Sequence, residues 1–382
     1  FFAGEAVILS MNAKKQERGA LMSEMKLGLG LYREMLTPDY FRFARQCGCT
    51  HLIIHLARYY TGGDNNIVTA TDETHNYGEA VANDPIWTLE SLRALQKMAA
   101  DEGLTIYGIE NFDPADWYDV LLDGPRRHAQ METLKAIIRR CGQAGIRTFG
   151  YNFSLAGVWG HQKKHAARGG ATSTCFDASL LNLNSPIPNG QVWNMTYAPG
   201  DGGFMPPVPS EALWDRLRRF LNEILPVAEE AGVELALHPD DPPMPTLRGT
   251  PRLVFQPELY QRVIDLNRSP ANKLEFCMGS IQEMTHGSIY DAIVQYAGQG
   301  RISYAHFRNV RGKVPCYDEV FVDEGDIDMI RAISLLRQNH FDGVLIPDHT
   351  PLIDCGAPWN AGMAYALGYM RALMQLCDRG VL

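Results

Sequence analysis

The stretch AGVELALHPDDPP at residues 231–243 shows, in short form, the unit from which this chain is built. A long amphipathic run that begins after Ser210 ends at Ala231-Gly232, and glycine is the residue typical of a helix end. A short, mostly apolar run follows and ends in His238 and two aspartates. Strands that are covered on both faces are apolar in this way. The stretch therefore predicts a helix, a tight return, a buried strand and a polar loop at the carboxyl end of that strand.

The same order of helix, glycine and strand recurs at residues 102–103, 144–145 and 342–343. We predict eight strands, at 26–32, 51–56, 105–110, 147–153, 234–239, 273–279, 302–309 and 344–349. We predict eight helices, at 38–47, 88–102, 130–144, 211–231, 257–267, 289–297, 327–339 and 362–377. Eight alternating units favour an α/β fold of the (β/α)8, or TIM barrel, type. The main rival is an open doubly wound sheet, which usually carries a Gly-rich phosphate loop that this sequence lacks.

Two connections are much longer than the others, at 58–87 after the second predicted strand and at 154–209 after the fourth. Loops of this length in a compact domain are usually functional covers or disordered inserts. Both follow the carboxyl ends of strands, where barrel enzymes bind their substrates. We therefore expect two lids that face a substrate, the alternative being surface decoration.

The chain is expected to form a single barrel domain over residues 25–382, preceded by a disordered or non-native extension at 1–24. A formal net charge of −9 argues against a nucleic-acid partner, and no apolar run approaches the length of a membrane span. Eight scattered cysteines form neither a disulfide framework nor paired zinc motifs, which favours a reducing cytoplasm. By analogy with other barrel enzymes, we expect a homo-oligomer.

Residues that can bind a metal end the last four predicted strands: His238, Cys277, His306 and Asp348. They are spaced by about one strand–helix–strand unit, so a closed barrel places them side by side at its carboxyl-terminal rim. Two imidazoles, a thiolate and a carboxylate suit Mn²⁺, Fe²⁺, Co²⁺ or Zn²⁺ better than Mg²⁺ or Ca²⁺. Taken singly, Cys277 could be a small core residue and Asp348 the cap of a turn. Together, the four favour a metal site.

Acidic and amide side chains near the same strand ends are candidates for contact with substrate. Asp240 and Asp241 could support His238 or bind substrate hydroxyls, although a Pro-rich turn explains them equally well. Glu110 and Asn152 lie at the ends of the third and fourth predicted strands. We expect both to face the opening of the barrel.

Three residues after the seventh and eighth predicted strands are candidates for binding an acid and for proton transfer. Arg308 and Asn309 could bind a substrate carboxylate, the alternative being a salt bridge to a neighbouring loop. His349 could act as an acid or base, because imidazole titrates near neutral pH.

Four motifs, in this order, resemble those of the mannonate dehydratase family: HPDDPP at 238–243, CMGS at 277–280, HFRNV at 306–310 and PDH at 347–349. The segments at 144–153 and 168–171 are also similar, and the likeness extends over about residues 25–376. It implies a xylose-isomerase-like barrel that binds Mn²⁺ or Fe²⁺. It also implies conversion of D-mannonate to 2-keto-3-deoxy-D-gluconate in hexuronate breakdown.

The resemblance implies roles for the residues at the matching positions. It makes the metal ligands His238, Cys277, His306 and Asp348, and it makes His349 a catalytic acid/base. This sequence departs from the family beside the last motif, because Ile346 stands where an arginine is usual and 350–351 read Thr-Pro instead of Gly-Arg. The family's catalytic tyrosine, in a Gly-Tyr pair, is replaced by methionine at 362–363, with Tyr365 as the nearest substitute. Cations expected to face the sugar acid are thus missing.

We therefore expect an enzyme, a metal-dependent hydro-lyase that dehydrates a sugar acid, with D-mannonate as the default substrate. The alternative is a sugar isomerase or epimerase on the same barrel, because that reaction also begins with removal of a proton beside a metal-held oxygen. A second alternative is a non-catalytic barrel that binds a metal or another ligand.

Overall fold

The structure, a computed structural model, describes residues 25–59 and 78–382. The predicted extension at 1–24 and most of the connection after the second strand lie outside these residues. In the part of the chain that is described, no helix combines the length and the apolar character needed to cross a bilayer.

Eight parallel strands close into a barrel. They are β1 (Lys26–Leu31), β2 (His51–His55), β3 (Thr105–Glu110), β4 (Thr148–Tyr151), β5 (Glu234–Leu237), β6 (Asn272–Cys277), β7 (Ile302–His306) and β8 (Val344–Ile346). Each strand pairs with the next one along the chain, and β8 pairs with β1. The predicted (β/α)8 barrel is confirmed.

Helices cover the outside of the barrel. They are α1 (Pro38–Gln46), α2 (Leu89–Asp101), α3 (Tyr118–Leu122), α4 (Arg127–Gln143), α5 (Ser210–Ala231), α6 (Leu259–Leu266), α7 (Met278–Glu283), α8 (Ile289–Gly298), α9 (Met329–Gln338) and α10 (Pro358–Asp378). As predicted, α5 ends at Gly232, whose φ of 68° is in the left-handed region that glycine adopts readily. At the other end, Ser210 is already helical and Pro209 takes the N-cap position.

The predicted strands extend too far at the carboxyl-terminal end of the barrel. β7 ends at His306 rather than at 309, and β8 ends at Ile346 rather than at 349. After β8 the backbone leaves the sheet, because Asp348 has a φ of 64°, which is uncommon for a residue with a side chain. The polar residues that follow β7 and β8 therefore belong to loops.

The connection at 154–209 forms a cover over the barrel mouth together with an element that the sequence did not reveal. Its strands His161–Lys164 and Ser173–Asp177 pair antiparallel. Ser173–Asp177 also pairs with Cys316–Val320, which forms a hairpin with Asn309–Lys313 after β7. We call these four strands the lid sheet. The sequence predicted two long connections, and this hairpin makes a third.

A small apolar cluster fills the barrel interior below the strand ends, and its members are Ile53, Tyr107, Ala236, Tyr304, Val344 and Ile346. A larger cluster lies between the strands and the helices. Because side chains alternate along a strand, Tyr304 and His306 of β7 point to the same side. The interior of the barrel thus changes from apolar to polar near the carboxyl ends of its strands.

Candidate active site

A cavity opens at the carboxyl ends of the barrel strands and extends to the lid sheet. Its volume is about 190 Å³, whereas a cavity that holds a single water has a volume of roughly 10–15 Å³. Strand ends and their loops form one side of its wall, and His161, Lys163 and Thr174 of the lid sheet form part of the other. Its size and polar wall suit a small molecule rich in oxygen.

His238, Cys277 and His306 bring one ligand atom each to a common point in this region. These three atoms all lie within 4.8 Å of one another. The residues end or directly follow β5, β6 and β7, which are neighbours in the barrel. Nδ1 of His238 donates to the Pro239 carbonyl oxygen at 2.6 Å, which leaves Nε2 for the cluster.

His306 also contacts three carboxylates. Its Nε2 lies 3.1 Å from Glu275 Oε1 and 3.5 Å from Glu110 Oε2. Its Nδ1 lies 3.2 Å from Asp348 Oδ2. Asp348 therefore touches the cluster through His306, whereas Glu110 and Glu275 form with His306 a second group of ligand atoms within 4.8 Å.

The buried polar atoms of this region fit a bound cation. Both ring nitrogens of His306 and both carboxylate oxygens of Glu275 are buried without a well-aligned hydrogen bond to any described residue. Buried polar atoms without a partner are costly, and a metal that takes up their lone pairs removes this cost. Imidazole, thiolate and carboxylate donors are together typical of a first-row transition metal. These residues therefore fit a divalent metal.

The Cys277 thiol has an environment that favours its ionised form. Burial alone would raise its pKa, but the charge of Arg308 and the neighbouring imidazoles of His238 and His306 lower the pKa to about 5. The backbone N–H of Ser280 also points at Sγ, at 3.5 Å. The thiolate, which is the form that binds metals, is thus favoured at neutral pH.

Arg308 is a buried cation surrounded by carboxylates. Its Nη2 donates to Asp241 Oδ2 at 2.7 Å and to Glu283 Oε1 at 3.2 Å. Its Nη1 donates to Glu319 Oε1 at 2.8 Å and lies 3.3 Å from Asp348 Oδ2. Glu319 belongs to the lid sheet. The structure therefore shows the salt bridge between Arg308 and a neighbouring loop, which the sequence analysis gave as the alternative to binding a substrate carboxylate. Arg308 lines the cavity, but its charge is largely compensated within the protein.

His349 lies at the cavity wall beside this network. Its Nδ1 is 2.9 Å from Glu319 Oε2, and its Nε2 is 3.6 Å from Asp348 Oδ1. Burial would lower the pKa of His349, but the Asp348 and Glu319 carboxylates raise it. A carboxylate bonded to one ring nitrogen orients the ring and favours its protonated form, as an acid catalyst requires.

The structure places two of the predicted site residues away from the cavity. The Asn309 amide donates to the carbonyl oxygens of Val322 and Ile327 and so holds the loop after β7. Tyr365 is 37% exposed on α10, where its hydroxyl accepts from Arg168. The structure therefore does not bring Asn309 and Tyr365 together with the other predicted site residues, and the roles predicted for them stay predictions.

Asp240, unlike its neighbour Asp241, contacts other parts of the protein and does not line the cavity. One of its oxygens accepts from the backbone N–H groups of Leu253 and Val254, and the other lies 3.0 Å from Nε of Arg252. Arg252 is fully buried, so this ion pair fixes the loop after β5. Asp241, by contrast, lines the cavity. Of the alternatives left open for Asp240, these contacts match a structural role in the loop, and its contact with substrate stays a prediction.

Glu110 and Asn152 do lie at the cavity wall. Oε2 of Glu110 is 3.7 Å from Nε2 of His55. The Asn152 amide oxygen accepts from Nε1 of Trp193 at 3.4 Å. Their contact with a substrate stays a prediction.

Several residues of the site were not predicted. Glu275 lies two positions before Cys277 in β6, so both side chains point into the barrel, and a lone carboxylate in this apolar strand was the available signal. His161, Tyr317 and Glu319 belong to the lid sheet. No local pattern indicates which residues of a long loop will meet the barrel.

Comparison with known proteins gives consistent matches. The profile of the D-mannonate dehydratase family matches residues 53–197 and 204–379. Mannonate dehydratase of Streptococcus suis is 34% identical over 275 residues, which cover 69% of this chain and 74% of the relative. Mannonate dehydratase 2 of Halalkalibacterium halodurans is 29% identical over 285 residues, covering 72% and 81%.

Solved structures agree with these matches. The crystal structure of mannonate dehydratase from Streptococcus suis serotype 2 has a TM-score of 0.75 at 27% identity, covering 94% of this chain and 95% of that one. A structure of L-ribulose 3-epimerase has a TM-score of 0.54 at 15% identity, covering 94% and 97%. The second likeness shows the barrel fold alone.

Proposed function

Because the chain belongs to the mannonate dehydratase family of hydro-lyases, which dehydrate a sugar acid, we propose that its own substrate is D-mannonate and its product 2-keto-3-deoxy-D-gluconate. The observation that carries the proposal is the convergence of His238, Cys277 and His306 at a cavity whose wall holds His349. The reaction belongs to carbohydrate metabolism, and we place it in hexuronate breakdown.

We propose Mn²⁺ or Fe²⁺ as the divalent metal, held by His238, Cys277, His306 and Asp348. The lowered pKa of the Cys277 thiol supports this set, as do the ring nitrogens of His306, which are buried without a well-aligned hydrogen bond. The contact between Asp348 and His306 keeps the fourth ligand, a carboxylate, beside the other three residues. When bound, such a metal offsets the negative charge that develops on substrate oxygens next to the breaking bonds.

Loss of water from a 2,3-dihydroxy acid requires two proton transfers. A base removes the proton from C2, and an acid protonates the hydroxyl that leaves C3. We assign this acid/base work to His349. Its ring is oriented by Glu319, and its Nε2 is the nitrogen that remains for the ligand. The enol that results becomes the keto acid without further help from the protein.

The buried network around Arg308 has a positioning role in this proposal. Arg308 joins Asp241, which lines the cavity, to Glu319, which orients His349. The lid sheet, which carries Glu319, covers the space above the strand ends, and a covered site excludes water from the reacting groups. We expect Arg308 to act through these neighbours rather than by binding the substrate carboxylate itself.

We further propose that residues 25–382 are one catalytic domain of a cytoplasmic homo-oligomer. All eight cysteines lie in described residues and are unpaired there, which suits a reducing compartment. The assembly rests on analogy with other barrel enzymes. Size-exclusion chromatography with light scattering tests it, and a mass of one chain would contradict it.

Isomerisation or epimerisation of a sugar is not favoured, because the family to which the chain belongs consists of hydro-lyases. The same finding disfavours a non-catalytic barrel. The test of the proposed function is turnover of a panel of aldonic acids and hexuronates by protein reconstituted with Mn²⁺ or Fe²⁺ under reducing conditions. We expect a 2-keto-3-deoxy acid from D-mannonate. No product from any acid, with metal demonstrably bound, would refute the proposal.

A further inference from the structure

Lys163 lies on the cavity side of the lid sheet. Side chains alternate along a strand, so His161 and Lys163 share one face of His161–Lys164. Both line the cavity. The next residue, Lys164, points to the other face, where its ammonium lies 3.6 Å from a carboxylate oxygen of Asp177. Two adjacent lysines of one strand therefore have different surroundings.

The Lys163 ammonium has a neutral partner. Its Nζ donates to Oγ1 of Thr174 at 2.7 Å, and Thr174 is the residue paired with it in the neighbouring strand. Within residues 25–59 and 78–382, no carboxylate lies within ion-pair distance of Nζ. Burial lowers the pKa of Lys163, and the more distant Glu319 carboxylate opposes this effect. A partly desolvated ammonium with one hydroxyl partner gains stability when an anion is placed beside it.

The other strong cation of the described cavity wall, Arg308, is compensated by three carboxylates within 3.2 Å: Asp241, Glu283 and Glu319. Of these two cations in the described part of the cavity wall, Lys163 has the charge that is less compensated, and it is therefore better suited to bind an anionic ligand. Thr172 and Thr174 place two hydroxyl groups on the same part of the wall. A carboxylate needs such a combination of one charge and several hydrogen-bond donors.

The strand that carries Lys163 is anchored to the buried network of the site. His161, two residues earlier, has Nε2 at 2.8 Å from the hydroxyl of Tyr317 and at 3.4 Å from Asp241 Oδ1. Asp241 in turn accepts from Arg308. The position of the Lys163 backbone is therefore fixed relative to the catalytic side of the cavity.

We propose that Lys163 recognises the carboxylate of the sugar acid, with Thr174 orienting its ammonium. Ile346 and Pro351 stand where the resemblance implies arginines, so they supply no positive charge at the end of the barrel. The lid supplies one through Lys163. Lys163 is then a specificity residue, which makes the site prefer an acid to a neutral sugar derivative of the same stereochemistry. The inference depends on the proposed function only in taking a sugar acid as the ligand.

The test is a binding cycle with Lys163→Gln and its neighbour Lys164→Gln as the matched control. Metal-loaded protein carrying His349→Gln, which slows turnover, is titrated by calorimetry with D-mannonate and with D-mannitol, its neutral alcohol. We expect Lys163→Gln to weaken D-mannonate binding about tenfold or more and to leave D-mannitol binding unchanged. Lys164→Gln should change neither affinity. Lys163→Met, which keeps the apolar stem, should behave like Lys163→Gln.

Two results would overturn the inference: an unchanged affinity for the acid in both Lys163 variants, or an equal loss for acid and alcohol. Melting temperatures equal to that of the parent protein would show that the variants fold. Failure of the proposed function has a different signature, because the protein without these substitutions would then make no 2-keto-3-deoxy acid. In that case the same cycle is run with whichever acid of the panel binds, and binding of none overturns this inference as well.

Discussion

His349 owes its place in the proposed chemistry to the two carboxylates beside it. Glu319 accepts from one ring nitrogen at 2.9 Å, and Asp348 lies 3.6 Å from the other. Both raise the pKa of His349 against the effect of burial. A ring that is oriented at Nδ1 and free to approach a ligand at Nε2 is suited to transfer a proton in a fixed direction.

Replacing His349 by Gln should abolish most turnover and spare the metal. Glutamine can still bond to Glu319 but cannot give or take a proton, so we expect kcat to fall by roughly 10² to 10⁴. Steady-state kinetics with metal analysis measures both quantities. His128→Gln, on an exposed part of α4, is the control. A His349→Gln enzyme that keeps its kcat would show that another group moves the proton.

Cys277→Ala should reduce metal affinity, because it removes a thiolate from a cluster whose other members cannot move closer without leaving the strand ends. We expect affinity to fall by more than roughly tenfold to 100-fold, which is the loss found when residues that only support metal ligands are altered. Metal content after dialysis against a graded chelator measures it. Cys141→Ala, a buried cysteine of α4, should retain the metal content of the unaltered protein. Equal metal content in both variants would exclude Cys277 as a ligand.

For single residues, the sequence predicts which side chains belong to the site better than it predicts the side chains that they contact. The predicted residues that end barrel strands, such as His306, do reach the site, because a strand end has a defined direction. Asn309 and Tyr365 do not reach it. Asn309 lies a few residues beyond a strand and Tyr365 lies on a helix, and at such positions tertiary contacts decide the direction of a side chain. Arg308 was located, but its four carboxylate partners come from four separate segments.

Among the elements, the lid sheet most needs an experimental test of its role, because it joins two segments that are far apart in the sequence. Tyr317 connects it to the barrel: its hydroxyl lies 2.8 Å from both Asp241 Oδ1 and His161 Nε2. Its ring stacks on Phe176 of the neighbouring lid strand, with centroids 5.6 Å apart. Tyr317 is thus, beside Glu319, a buried side chain that links the lid to the charged network.

Tyr317→Phe should keep the stacking and remove the hydrogen bond to Asp241. Loss of a hydrogen bond to a buried carboxylate costs about 1.5–3 kcal/mol, so the melting temperature should fall and the KM for the sugar acid should rise. Tyr296→Phe, whose hydroxyl donates to the Pro257 carbonyl outside the cavity, is the matched control for a buried tyrosine. It should lose stability without a change in KM. A Tyr317→Phe enzyme with an unchanged KM would contradict the link.

The barrel strands and outer helices could be predicted because each has a local signature of apolar runs and glycine returns. The hairpin at Asn309–Lys313 and Cys316–Val320 could not, because it contains several charged residues and is stabilised by pairing with a lid strand some 140 positions earlier. Pairing between such distant segments leaves no periodic pattern in either one. The same reason explains why Lys163 and Glu319 were missed.

For the molecule as a whole, closure of the barrel is what assembles the site. His238, Cys277 and His306 are separated along the chain by entire helices, yet their ligand atoms come within 4.8 Å because β5, β6 and β7 are adjacent. A cation held by these strands is bound by the folded state and not by the unfolded chain. Metal binding should therefore stabilise the entire barrel.

Chelation should lower the melting temperature of the protein by a few degrees. Free metal at 100 times its Kd contributes about 2.7 kcal/mol to folding, and this contribution is lost with the metal. Differential scanning calorimetry with Mn²⁺ and with excess chelator measures the difference. The same comparison on Cys277→Ala should show a smaller shift. An equal shift in both proteins would place the stabilising metal elsewhere.

The most direct test of the central claim, that this site removes water from a sugar acid, is the mass of the product formed from D-mannonate in D₂O. We expect metal-reconstituted protein to give a product lighter by one water and carrying deuterium at C3, because ketonisation of the enol takes a proton from solvent. A product that retains the water and differs from the substrate only in configuration or in the position of its carbonyl group would contradict dehydration.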